Sequence, residues 1–238
     1  AMAIVAPTGV AAINAGGTTI HSFFQFSFSP FIPKYEKDGR LSPGSIDPHM
    51  QKYNRQRLAV YRNLELLVID EISMVRCDLL DRIDAALRFA RKRWELPFGG
   101  VQVLMIGDMF QLPPVVKNEE WSLLKETYES PFFFDARVLK NELPVYIELE
   151  KIYRQKEETF IDLLNKVRNG RVDMKDLELL NGRYRGDLDA KEQQEYITLT
   201  THNKKADEIN ERALDSLKCK EFVFEADIKD LFPEGSYP

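Results

Sequence analysis

ELLVIDEISMV (residues 65–75) drives an apolar run straight into two adjacent carboxylates, Asp70 and Glu71. A short continuous apolar run bounded by polar residues reads as a strand covered on both faces, the pattern of a parallel sheet. Side chains alternate along a strand, so neighbouring acids can share a site only just past its end. Delivered there, one carboxylate suits a divalent cation and the other suits a proton, which is the equipment of a phosphate site. An apolar run ending in Asp-Glu is by itself a weak signal, because many surface turns match it. Nowhere in the sequence is there a G-x-x-x-x-G-K-[ST] loop to cradle the phosphate these acids would serve.

The same strand signature recurs outward from this stretch. AIVA (3–6), LELLVI (64–69), VQVLMI (101–106), VYIEL (145–149) and YITLT (196–200) are the predicted strands. Leu80, Ile83, Leu87 and Ala90 repeat at helical spacing between them, as do Phe160, Leu163, Leu164 and Val167, with Gly170 placed to end that second helix. Ala206, Ile209, Ala213 and Leu217 form a third stripe, with Asn203 as its expected cap. Strands alternating with helices give the α/β class, a parallel sheet flanked by helices. Residues 24–55 break the rhythm, being rich in Pro, Ser and Gly with aromatics off helical spacing. They read as an excursion from the sheet, with EKDGR (36–40) as a hairpin turn. A domain boundary is expected near Leu149 and Glu150. The opening Ala-Met before AIVAPTG and the ending on Pro238 both read as cuts within a fold.

Composition narrows the function classes. With 44% hydrophobic and 30% charged residues, the 238-residue chain supports a real core. No apolar run approaches the ~20 residues that span a bilayer, and the amino terminus lacks a signal-peptide layout; no membrane partner is expected. Two distant cysteines, Cys77 and Cys219, imply a reducing cytosol, and His21, His49 and His202 lack metal-ligand spacing. A net charge of −5 argues against coating nucleic acid by bulk attraction, while leaving room for a groove that holds one strand. RFARKR (88–93) and KYNRQR (52–57) read as solvated helix faces.

Three further stretches carry chemistry. In VQVLMIGDMFQLPPV (101–115) a strand leads to Gln111, placed to sense a γ-phosphate or an attacking water, with Pro113 and Pro114 stiffening the backbone beyond it. ELEKIYRQ (148–155) presents Arg154, a guanidinium suited to charge developing on a transferred phosphoryl group. APTGVAAINAGGTTIHSFF (6–24) places Pro7, Thr8 and Gly9 at a strand-to-helix turn and adds Thr18, Thr19 and His21, donors suited to a sugar–phosphate backbone. Phe23 and Phe24 offer a base-stacking face or core.

In this order the stretches resemble the PIF-type DNA helicases of helicase superfamily one, and more distantly the RecD-type ones. APTGVAAINAGGTTIHSFF resembles the family's first DNA-contacting motif, VIDEISM its Walker B motif and GDMFQLPPV its sensor motif. YRQ with FIDLLNKVRNGR resembles the arginine motif, and LTTHNKKADEINERAL a motif of the second RecA-like domain. The resemblance implies RecA-like domains that close on ATP and step from five-prime to three-prime along single-stranded DNA. It assigns Asp70 to Mg²⁺, Glu71 to water activation, Gln111 to γ-phosphate sensing and Arg154 to the transition state. Pro7, Thr8, Gly9, Thr19 and His21 would line the DNA path in a first domain spanning 1–149, and Thr201 and Asn203 in a partial second spanning 150–238. The 24–55 segment falls where the family places a strand-separating insertion.

The family's phosphate loop precedes the AIVAPTG strand, and its last motifs lie beyond the carboxyl end. The chain is therefore expected to be an inactive helicase fragment that binds neither ATP nor Mg²⁺, cytoplasmic and, in a bacterium, nucleoid-associated. The absent strand, expected beside VQVLMI, would leave a sheet edge open to self-association. The rival expectation is a non-catalytic single-stranded-DNA-binding or scaffold module that has lost ATP binding.

Overall fold

The computed structural model describes residues 1–36, 41–45, 48–51, 53–140, 143–186, 196–217, 219, 220 and 222. Most of the turn expected at residues 36–40 lies outside them, and Tyr35 and Leu41 on its flanks form an antiparallel bridge. The chain divides into two compact units, Ala1–Arg168 and Asn169–Pro238.

The first unit is built on a four-stranded sheet of β1 (Met2–Ala6), β2 (Thr18–Thr19), β3 (Leu66–Ile69) and β4 (Gln102–Met105), in the order β2-β1-β3-β4. Every pairing is parallel, with Ala6 beside Thr19, Val5 beside Ile69 and Ile69 beside Met105. All four carboxyl ends therefore share one edge. From β1 the chain steps outward to β2 through α1 (Gly9–Asn14), and from β3 it steps the other way to β4 through α5 (Cys77–Arg91). An open α/β sheet receives its ligand at the carboxyl ends beside such a reversal, here between β1 and β3. The turn into β2 admits only glycine, because a Cβ on Gly17 would lie 2.2 Å from the Ile4 carbonyl oxygen.

The helix spacing read from Leu80, Ile83, Leu87 and Ala90 holds in α5, where all four side chains are buried with Val5, Leu67 and Ile69. Burying each of the three larger side chains, Leu80, Ile83 and Leu87, stabilises the fold by roughly 1.5–3 kcal/mol. The helix is buried on its polar side as well. Asp81 accepts from Tyr128 Oη at 2.7 Å and from the Arg137 and Val138 amides at 2.9 Å, which seats α7 (Arg137–Lys140). Arg88 donates to Asp84 at 2.8 Å, and Arg91 donates to the Leu64 and Gly99 carbonyls, also at 2.8 Å. RFARKR is thus not a solvated face: two of its arginines tie loop carbonyls and a buried carboxylate together.

The 24–55 excursion, continued by α2 (Ile20–Phe24) on one side and by α3 (Pro48–Gln51) and α4 (Arg55–Arg62) on the other, is held by its own apolar residues. Phe24, Phe26, Phe31, Leu41, Met50 and Tyr53 are buried, and Tyr61 Oη donates to the Phe23 carbonyl at 2.7 Å. Phe24 is core, and Phe23 is half-buried against it and Tyr61. The unit also contains α6 (Asn118–Leu124) and α8 (Glu158–Arg168), with Gly170 beyond α8 at φ +63°.

Two predicted strands are corrected. Residues 143–157 carry neither helix nor strand, and Val145 and Leu149 are 90% and 89% exposed. In the second unit YITLT likewise forms no strand, with Ile197 and Leu199 exposed. Apolar composition makes a strand only where a neighbour satisfies its backbone groups, and among the described residues neither run has one. Among the described residues of the second unit the helices are α9 (Met174–Asn181), opened by a reciprocal Asp173–Asp176 capping box, and α10 (Asn203–Asp215). The expected cap of α10 is displaced by one residue: His202 holds that position and Asn203 is the first helical residue.

Candidate functional site

Three loops leave the shared edge of the sheet. After β1, Thr8 is extended (φ −119°) and its Oγ1 accepts from the Ala11 amide at 3.2 Å, capping α1 between half-buried Pro7 and exposed Gly9. The pairing of β2 with β1 sets Thr19 beside Ala6, and Thr19 Oγ1 in turn caps α2 through the Ser22 amide at 3.2 Å. His21 follows on α2, its ring stacked on Phe28 at 4.6 Å between centroids. Burial, and then the Arg82 and Arg76 guanidiniums, hold the His21 pKa below the usual imidazole value, so the ring is neutral at neutral pH.

After β3, the Asp70 amide donates to the Val5 carbonyl at 2.9 Å, fixing this loop to β1. Asp70 Oδ1 accepts the Glu71 amide at 3.0 Å, and Glu71 takes a left-handed conformation (φ 51°, ψ 46°). That conformation costs a non-glycine residue roughly 1–2 kcal/mol and turns the chain abruptly, so both carboxylates stay half-exposed at the strand end.

After β4, the loop is pressed onto the Asp70–Glu71 turn. The Ile72 amide donates to the Ile106 carbonyl at 2.9 Å, and a Cβ on Gly107 would lie 2.9 Å from Ile72 Cγ2 and 3.0 Å from the Ile72 nitrogen. Only glycine permits that approach. Asp108 then organises the loop: its carboxylate accepts from the Phe110 amide at 3.0 Å, from Gln111 Nε2 at 3.2 Å and from Arg168 Nη2 at 2.9 Å. The Arg168 guanidinium also lies 4.8 Å above the Phe110 ring. A carboxylate only accepts, so Asp108 fixes which end of the Gln111 amide faces it and leaves Oε1 free. Sequence reasoning missed Asp108 and Arg168 as members of this site. Both lay inside stretches already singled out, but no spacing rule links residues sixty apart.

The remaining predicted residues belong to other stretches of the chain. Arg154 is exposed on the 143–157 stretch and makes no hydrogen bond or ion pair to Asp70, Glu71 or Gln111. Thr201 and Asn203 belong to the second unit, Thr201 exposed with Oγ1 2.9 Å from His202 Nδ1, and Asn203 at the start of α10. Among the described residues no three His, Cys, Asp or Glu side chains gather to hold a metal. Asp70, with one oxygen engaged by an amide, suits a cation that takes most of its ligands from water and phosphate. No helix among the described residues is long and apolar enough to cross a membrane.

Comparison with known proteins places these loops in context. The PIF1-like helicase family matches residues 1–178. The ATP-dependent DNA helicase PIF1 of Saccharomyces cerevisiae is 38% identical over 175 residues, covering 72% of this chain and 18% of the yeast protein. A crystal structure of Bacteroides Pif1 bound to single-stranded DNA superposes with a TM-score of 0.80 at 42% identity, over 99% of this chain and 51% of that one. A complex of the Bacteroides helicase with ADP-AlF3 and single-stranded DNA gives a TM-score of 0.79 at 41% identity, over 100% of this chain and 52% of that one. The four-stranded parallel sheet flanked by helices matches their RecA-like fold. The chain spans about half the length of these solved helicases and about a fifth of the yeast protein.

Proposed function

Because the chain belongs to the PIF1-like helicase family, we propose that its residues are the strand-contacting and phosphate-sensing part of an ATP-dependent helicase that moves on single-stranded DNA. The observation that carries this reading is the gathering of the Pro7–Thr8–Gly9, Asp70–Glu71 and Gly107–Gln111 loops at one sheet edge. A binding-only module has no use for two carboxylates and an oriented amide there. Asp70 would hold Mg²⁺ shared with the nucleotide phosphates, Glu71 would take the proton of the attacking water, and Gln111 would read the γ-phosphate. Arg154 would reach the transferring phosphoryl group on closure of a second RecA-like domain beginning near Glu150, which also brings Thr201 and Asn203 to the strand.

Nothing in the 238 residues supplies a lysine-bearing phosphate loop, so by themselves they should bind an ATP analogue no tighter than millimolar. The test is DNA-stimulated ATP hydrolysis by the full-length gene product. Glu71→Gln should lower kcat at least 100-fold, on the order expected for a general base, with single-strand affinity unchanged within about two-fold. Hydrolysis that ignores both DNA and Glu71→Gln would overturn the reading.

β4 ends the sheet order, so among the described residues its outer edge pairs with no strand, and Leu104 within it and Ile106 just beyond it are 48% and 45% exposed. Self-association of the 238 residues along that edge is part of the proposal. Light scattering showing only monomer at high concentration would remove it.

A further inference from the structure

We propose that Phe28 and His21 form a two-ring platform on which a base of a single nucleic-acid strand stacks. This rests on the strand-binding reading above and adds to it a residue and a contact that no family motif in the sequence marks.

The loop that carries Phe28 is anchored from inside the fold. Arg82, on α5, is 3% exposed, and its Nη1 donates to the carbonyls of Ser27 at 2.7 Å and Ser29 at 3.4 Å. Its Nη2 donates to Ser27 Oγ at 3.0 Å, its guanidinium lies 4.6 Å above the Phe26 ring, and the Ser27 and Ser29 hydroxyls meet at 2.7 Å. Two residues further on, the Phe31 amide donates to buried Asp78 at 3.0 Å. The backbone on both sides of Phe28 is therefore fixed to the interior by buried charged groups. Desolvating a guanidinium is expensive, yet the residue at the apex of the loop it secures is a phenylalanine 81% exposed to water. Phe24, Phe26 and Phe31 around it are all buried, so the local core does not need this ring.

The chemistry of the surroundings selects the occupant. His21 backs one part of the Phe28 ring at an interplanar angle of 27°, leaving the rest of its surface open. The imidazole is uncharged at neutral pH, so both rings offer neutral π-faces, which accept any base without reading its edge. Arg76 is paired with Asp78 at 2.8 Å and with Glu120 at 3.0 Å, so its charge is balanced locally and ring stacking, not bulk attraction, carries the contact. Thr19, two residues before His21, pairs with Ala6 at the end of β1, so the rings lie near the Pro7–Thr8–Gly9 loop. A fixed ring pays no ordering cost when a base arrives, which is the use of the buried clamp.

The experiment is fluorescence anisotropy of the 238-residue chain with fluorescein-labelled oligo(dT) and with an abasic strand of equal length. Phe28→Ala removes an exposed ring and leaves the fold intact. It should weaken oligo(dT) binding about 10-fold, in the range measured for one stacked base, while abasic binding stays within two-fold. Phe28→Trp should restore the affinity, with its indole emission quenched as strand is added. Salt-dependent oligo(dT) binding that Phe28→Ala leaves unchanged overturns the platform and leaves the strand-binding reading standing. Failure of the unaltered chain to bind either strand at low salt overturns both.

Discussion

Leu67 and Leu149 sit in apolar runs that look alike on paper, LLVI in one and VYIEL in the other, and their fates are opposite. Leu67 is fully buried in a strand flanked by β1 and β4, and Leu149 is 89% exposed on backbone that pairs with nothing among the described residues. The lesson is that the strand signal in a sequence measures suitability for burial, and realisation depends on a partner far away in the chain. The largest effect that could break the comparison is therefore a matched pair of truncations. Leu67→Ala should destabilise the first unit by about 2–5 kcal/mol, and Leu149→Ala by no more than about 0.5 kcal/mol. Urea unfolding followed by tryptophan fluorescence measures both, since Trp94 and Trp121 are the only tryptophans and both lie in that unit. Equal losses would show that the 145–149 run packs as a strand in solution.

The same contrast explains which features a sequence can reveal. LELLVI, VQVLMI and AIVA became β3, β4 and β1 within a residue or two, because each is apolar enough to be covered on both faces and each found a parallel neighbour. The Asp70–Glu71 pair was legible because it follows its strand immediately, a local relation. The Asp108–Arg168 ion pair was not, because it joins residues on separate elements, and only the packing of α8 near the sheet edge brings them together. Phe28 was hidden for a related reason: five phenylalanines crowd residues 23–31, and composition cannot say which one the Arg82 clamp will leave outside. RFARKR defies its solvated reading because charge runs usually stay wet, and here buried Asp84 and several loop carbonyls reverse that preference.

A smaller effect sharpens the comparison on the buried side. Asp81 is fully enclosed, and its carboxylate accepts three hydrogen bonds from Tyr128, Arg137 and Val138. Asp81→Asn swaps one acceptor oxygen for a donor that must face an N–H or O–H, a loss of about 1–3 kcal/mol. Burial, outweighing those hydrogen bonds, pushes the Asp81 pKa up from 3.8 to about 6. Between those two values the folded chain binds more protons at this site than the unfolded one. Its contribution to stability is then full below pH 3.8 and declines as pH rises through about 6. Urea midpoints from pH 4 to 7 should show that declining component in the unaltered chain and not in Asp81→Asn. A midpoint difference that stays constant with pH would show that the three donors hold the carboxylate ionised throughout.

The smallest effect tests whether α8, which comes after the exposed 143–157 stretch, is tied to the sheet edge as the Arg168–Asp108 contact implies. Both partners are partly exposed, at 45% and 24% of their side chains, so a modest coupling is expected, about 0.2–1 kcal/mol in a double-mutant cycle of Arg168→Ala and Asp108→Ala. The coupling should shrink in 1 M salt, where the Debye length falls to about 3 Å. Asp108 has a second consequence that stability does not register. Without its carboxylate, Gln111 Nε2 loses its acceptor, and the amide is free to rotate end for end. If Gln111 acts on the γ-phosphate as proposed, Asp108→Ala in the full-length product should lower kcat on the order of 10-fold with little change in the KM for ATP, because geometry and not binding is lost. Asp108→Glu, which keeps an acceptor on a longer arm, should recover part of the rate. Strict additivity in the cycle, together with an unchanged kcat, would mean that α8 and the Gln111 loop are neighbours without being coupled.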